Sequence, residues 1–122
     1  MASDNDLESC TAEQHSLAPG LVPAQLEICE RAAGIFRAMG DVNRLRLLSL
    51  LAKSELCVTE LTEALKDNLP AISQRLKLLR AERLVRTRRQ GKHVFYSLTD
   101  NHIAELIANG LAHGEEPEDE VV

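Results

Sequence analysis

The sequence predicts a mainly helical fold that carries one β-hairpin, and three observations predict it. Apolar residues recur at helical spacing through most of the chain beyond residue 20. Side chains that cap helices stand in front of several of these runs, namely Asp41, Asn68 and Asp100. One alternating stretch, closing Arg86-Thr87-Arg88-Arg89-Gln90-Gly91-Lys92-His93-Val94-Phe95-Tyr96, turns around Gln90-Gly91 and reads as a hairpin.

Each element follows from its residues. Residues 1–20 are polar and acidic, lack periodicity and end in Ala18-Pro19-Gly20, so they read as a mobile arm holding Cys10 and His15. A first helix is expected from about Pro23 to Met39, with Leu26, Ile28, Ala32, Ile35, Phe36 and Met39 on or near its buried side. Cys29 among them is a packing thiol, and Gly40 ends the helix. Asp41 caps a second helix, Asn43 to about Lys53, rich in leucine. A third, short helix covers about Val58 to Lys66 and carries Leu61 and Leu65. The fourth is capped by Asn68, takes Pro70 in its first turn where a missing N–H costs nothing, and repeats Ile72, Leu76 and Leu79. Asp100 caps a last helix from about Asn101 to His113, and residues 115–122 form an acidic tail. The third and fourth helices make a helix-turn-helix and the hairpin a wing, so residues 21–114 read as one winged helix-turn-helix domain for DNA binding and dimerisation. A chain of 122 residues has a core small enough to profit from a partner subunit.

Charge points to the ligand. From Ala71 to Lys92 there are eight basic residues (Arg75, Lys77, Arg80, Arg83, Arg86, Arg88, Arg89, Lys92) and one acid, Glu82. This segment is +7 in a chain of net −5, which leaves −12 elsewhere. A basic helix and hairpin on an acidic protein form a footprint for double-stranded DNA. Within it, Gln74 suits bidentate pairing with adenine, Arg75 pairing with guanine, and Ser73 either base or phosphate. Asn68, Arg80, Arg88, Arg89 and Lys92 suit phosphate contacts that set register, and Lys77 joins the DNA-binding set. His93 lies beside them on the wing. No run is long enough to span a membrane, and three scattered cysteines make no disulfide framework, so the cytoplasm is the expected compartment. No nucleophile–base signature or phosphate loop is present, which disfavours an enzyme and a small-molecule substrate.

Four stretches resemble the ArsR/SmtB family of metal-sensing repressors: Asp41-Val42-Asn43-Arg44-Leu45-Arg46-Leu47-Leu48, Glu55-Leu56-Cys57-Val58, Ile72-Ser73-Gln74-Arg75-Leu76 and Arg89 to Leu98. The resemblance runs from about Leu26 to Glu116 and implies a dimeric winged helix-turn-helix that leaves its operator when metal binds.

The last helix carries the sharpest metal signal. His102 and His113 are eleven positions apart, so both imidazoles project from one face. They are also roughly 16 Å apart along the axis, too far to share an ion within one helix. Antiparallel pairing with a second copy would bring His102 of one chain to His113 of the other, with Asp100 and Glu116 supplying carboxylates and two-fold symmetry giving two tetrahedral sites suited to zinc. Cadmium and cobalt are alternatives. Zinc sensors of the resembling family place aspartate, histidine, histidine and glutamate at these four positions. Gly114 and Pro117 weaken the final turn and leave Glu115 as an alternative to Glu116. The plainer reading makes Asp100 an N-cap and His113 a residue favoured by the helix dipole. A second, weaker set joins Cys57 and Glu60, an i,i+3 pair, with Cys10 and His15. The family's thiolate-rich sensors have Cys-Val-Cys at this place, whereas here the third residue is Thr59. This set opens an alternative function, a thiol sensor of cadmium, lead, arsenite or redox state, against the reading of Cys57 as simple packing.

Overall fold

The computed structural model describes residue 16 and residues 18–118. Five helices and three short strands follow in the order α1 (Leu26–Met39), α2 (Val42–Leu51), β1 (Leu56–Cys57), α3 (Val58–Leu65), α4 (Leu69–Ala81), β2 (Val85–Gln90), β3 (His93–Leu98) and α5 (Asn101–Glu115). Cys10 and His15 lie outside the described residues.

The caps hold the helices where the sequence puts them. The Asp41 carboxylate accepts the Arg44 backbone N–H (3.0 Å), Asn68 Oδ1 that of Ala71 (2.9 Å) and Asp100 Oδ1 that of Ile103 (3.1 Å). Lys66 closes α3 in the left-handed region at φ 53°. The core is aliphatic and contains Leu47, Leu48, Leu61, Ile72, Leu76, Leu79, Leu84, Val85, Ile103 and Ile107. Leucine and isoleucine supply the fully buried side chains that join α2, α3, α4 and α5, in keeping with the low aromatic content.

Three features differ from the sequence reading. Helix α1 begins at Leu26, and Leu26, Ile28 and Phe36 are exposed; its buried residues are Gly34 and Ala38. Cys29 is exposed as well, not packed in a core. Leu26 to Arg31 are all exposed, so the helical apolar pattern there marks a face without a covering partner among the described residues. Second, Leu56–Cys57 adds a strand antiparallel to β3, pairing Leu56 with Tyr96 and Cys57 with Phe95, so the wing is a three-stranded sheet of order β1-β3-β2. Third, α5 continues through Gly114 to Glu115 instead of stopping at His113. The hairpin pairs Gln90 with His93, and Gly91, at φ 61°, takes the first position of a Gly91-Lys92 loop.

Leu79 is 0% exposed and the neighbouring Leu78 36% exposed. Leu79→Ala should therefore lower unfolding free energy by about 2–5 kcal/mol in a urea titration, whereas Leu78→Ala should cost well under that.

Candidate functional site

Helix α4 presents two faces. Ile72, Leu76 and Leu79 bury one against the core. Ser73, Gln74, Lys77 and Arg80 are exposed on the other. Ser73, Lys77 and Arg80 line a cleft with Leu76, Ala81 and Tyr96 of β3, so the outward face of α4 and the sheet border one hollow. Arg89 and Lys92 are exposed on the hairpin, as is His93. An exposed polar helix face beside a basic hairpin is an arrangement that can meet a groove and its flanking phosphates.

Three residues of the expected DNA set are engaged inside the chain. Asn68 spends its side-chain oxygen on the α4 cap. Arg75 turns away from the outward face, and its Nη1 donates to Asp67 Oδ2 (2.8 Å). Arg88 Nε donates to both Glu55 oxygens (3.1 and 3.2 Å), its Nη2 to Glu55 Oε1 (2.6 Å) and its Nη1 to Gln90 Oε1 (3.0 Å). The Arg88 guanidinium also lies 4.9 Å from the centre of the Phe95 ring. The hydrogen bond from Arg88 lowers the Glu55 pKa and that from Arg75 lowers the Asp67 pKa; the Arg88 pKa is raised in turn by its bond to Glu55. Sequence spacing gives the charges but not their partners, because Glu55 stands 33 residues before Arg88.

The second candidate region is α5, whose two ends each carry an exposed imidazole beside a carboxylate. His102 Nδ1 lies 3.7 Å from Asp100 Oδ1, and His113 Nδ1 lies 3.3 Å from Glu116 Oε2. Glu116 is thus the acid placed by His113. Asp100 also caps α5, as the plainer reading of that residue has it. Among the described residues no three histidine, cysteine, aspartate or glutamate side chains form a metal-sized cluster within one chain. Cys57 is half-buried at the start of α3, but Glu60 there accepts the Cys57 backbone N–H (3.0 Å). That bond is the leading cause of a lowered Glu60 pKa. The Cys57 thiol is the second cause, so the carboxylate is engaged both at the helix end and by the thiol.

The fold and the α4–wing surface define a winged-helix DNA-binding regulator, and comparison with known proteins makes the class specific. Residues 41–87 match the model of a bacterial regulatory protein family, the arsR family. The transcriptional repressor SmtB homolog of Synechocystis sp. is 44% identical over 91 residues, covering 75% of this chain and 69% of that protein. A Staphylococcus aureus relative described as a cadmium resistance transcriptional regulatory protein, a CadC homolog, is 31% identical over 85 residues, or 69% of this chain and 70% of its own. The structure is similar to a homodimeric winged helix-turn-helix DNA-binding domain from Mycobacterium bovis, with TM-score 0.71 and 27% identity over 81% of this chain and 92% of that one. The chain belongs to the arsR family of bacterial regulatory proteins. It is a DNA-binding transcriptional repressor of that family and not an enzyme. No helix among the described residues is long and apolar enough to cross a membrane.

Because the Glu60 pKa is lowered on folding, its contribution to stability is complete above the ordinary carboxylate range and is lost as pH falls through the lowered value. Glu60→Gln should therefore melt below wild type at neutral pH, and the difference should close on acidification, as followed by circular dichroism.

Proposed function

We propose that the chain is a metal-responsive repressor that binds operator DNA as a homodimer and is released when zinc binds at α5. The observation that carries this reading is the imidazole–carboxylate pair at each end of α5, Asp100 with His102 and His113 with Glu116. Both pairs are exposed, so their donors are open to a second molecule. Nitrogen and oxygen donors in a set of four suit zinc, with cadmium or cobalt able to use the same donors. One α5 separates the pairs by roughly 16 Å, so a four-donor set needs a second copy running antiparallel. The exposed Leu26, Ile28 and Phe36 of α1 and Leu106 and Leu111 of α5 supply the apolar surface that such a dimer would cover.

On the DNA side, Ser73, Gln74 and Lys77 face outward from α4 to reach base edges and phosphates. Arg80, Arg89 and Lys92 supply backbone charge. Bound zinc would supply a cross-link between the two subunits. The chain's part is to join that link to the spacing of two α4 helices, since α5 and α4 are built into one core through Ile103, Ile107, Leu76 and Leu79. Operator and zinc then oppose each other by one coupling free energy, and operator must weaken zinc by the factor by which zinc weakens operator.

The test is operator release, followed by fluorescence anisotropy, across zinc, cadmium, cobalt and arsenite. His102→Ala and His113→Ala should each leave metal-free operator affinity within about twofold and abolish release by zinc, while Cys57→Ser should release as wild type does. Release that survives His102→Ala and disappears in Cys57→Ser would replace this reading with a thiol sensor. Equal zinc affinity with and without operator would remove the coupling.

A further inference from the structure

The basic face is less available than its formal charge suggests. Successive helical residues are about 100° apart, so Arg75 stands about 160° around α4 from both Ser73 and Lys77, each two positions away. It therefore lies on a flank of α4, with its guanidinium against Asp67 in the α3–α4 turn, and its side chain is 21% exposed. Asp67 is itself bound on its other oxygen, which accepts the Asn68 backbone N–H (2.8 Å) at the α4 cap. Arg88 is more completely engaged, with Glu55 and Gln90 on its edges and Phe95 at its face. The two acids lie in different settings: Asp67 immediately precedes α4, which carries Arg75, whereas Glu55 precedes β1 and reaches Arg88 of β2 across β3.

We infer that Asp67 and Glu55 are specificity-determining residues of DNA binding: each holds one arginine of the basic face, Arg75 and Arg88, as an internal strut and keeps its charge off the DNA backbone. Sequence-independent affinity grows with the number of phosphates a protein neutralises. An arginine freed on this surface finds a phosphate on any duplex, whereas on the operator its reach is limited by the register that base contacts impose. Withholding two guanidiniums per protomer therefore lowers binding to arbitrary DNA more than binding to the operator. Base reading is left to the short outward side chains of Ser73 and Gln74 with Lys77. The carboxylates are ionised at neutral pH, since their pKa values are lowered, so the two charges of each pair cancel. The inference rests on the proposed α4–wing interface.

The experiment measures affinity of the full chain, between about 50 and 200 mM salt, for two duplexes: one selected by the protein from a randomised pool and a scrambled one of equal composition. Asp67→Asn and Glu55→Gln should each tighten binding to the scrambled duplex more than to the selected one. Each should also steepen the slope of log affinity against log salt by about 0.9 per protomer. Arg75→Met and Arg88→Met should leave that slope unchanged. A slope shallower by about 0.9 in either methionine variant would show that the arginine meets phosphate and would overturn the assignment for that pair. Acid variants with unchanged slope and unchanged discrimination would overturn it too. The two pairs sit in separate elements, so if one variant fails to fold the other pair still decides the matter. Lys92→Ala and Gln74→Ala test the underlying interface. Should both bind as wild type does, the interface reading itself fails. Should they weaken binding while the acid variants change nothing, only the strut assignment fails.

Discussion

The rotation of α4 about its own axis is set by three side chains, and the DNA-reading surface depends on it. Ile72, Leu76 and Leu79 are buried with Leu47, Leu48, Leu61 and Leu84, and a close-packed aliphatic core does not accept a helix turned by one residue. With that face inward, Ser73, Gln74 and Lys77 must face outward and Arg75 must fall on the flank. The neighbouring elements only refine this orientation. Asn68 and Asp67 fix where α4 starts, and the backbone of Leu84, whose N–H donates to the Leu79 carbonyl (2.9 Å), fixes where it stops. Thr99 then ties that stop to the last helix, its hydroxyl donating to the Arg83 carbonyl (2.9 Å) one residue before the α5 cap.

The two functional regions use charge in opposite ways. At α5 the imidazoles and carboxylates are exposed and few bonds hold them, a state suited to groups that await a ligand. On α4 and the wing, Arg75 and Arg88 are each paired with an acid of the same chain. Exposure alone does not separate the two cases, because the Arg88 side chain is half-exposed. The number of donors already satisfied does.

Much of this was legible in the sequence. The caps Asp41, Asn68 and Asp100, the apolar repeat of α4 and the hairpin at Gly91 are local signals, and local signals survive folding. The α4 cap and the β2–β3 hairpin follow from spacing within short local stretches. What spacing could not give was partnership at a distance. Two residues are too short a strand to show alternation, so β1 was invisible until β3 was beside it. Apolar periodicity in α1 announced a buried stripe without saying that Leu26, Ile28 and Phe36, with Cys29, stay exposed among the described residues. Arg75 sits next to Gln74 in the sequence, which does not show that it lies on another side of the helix or that its guanidinium meets Asp67 eight residues earlier.

The third strand of the wing has a bearing on chimeras. Leu56 and Cys57 lie about thirty residues ahead of the hairpin they join, and Glu55 beside them holds Arg88 from across the sheet. A transplant limited to residues 85–98 would arrive without its edge strand and without the acid that neutralises its arginine. Exchange of wings between relatives therefore has to carry the short segment before α3 along with the hairpin, so the modular unit is discontinuous in sequence although continuous in space.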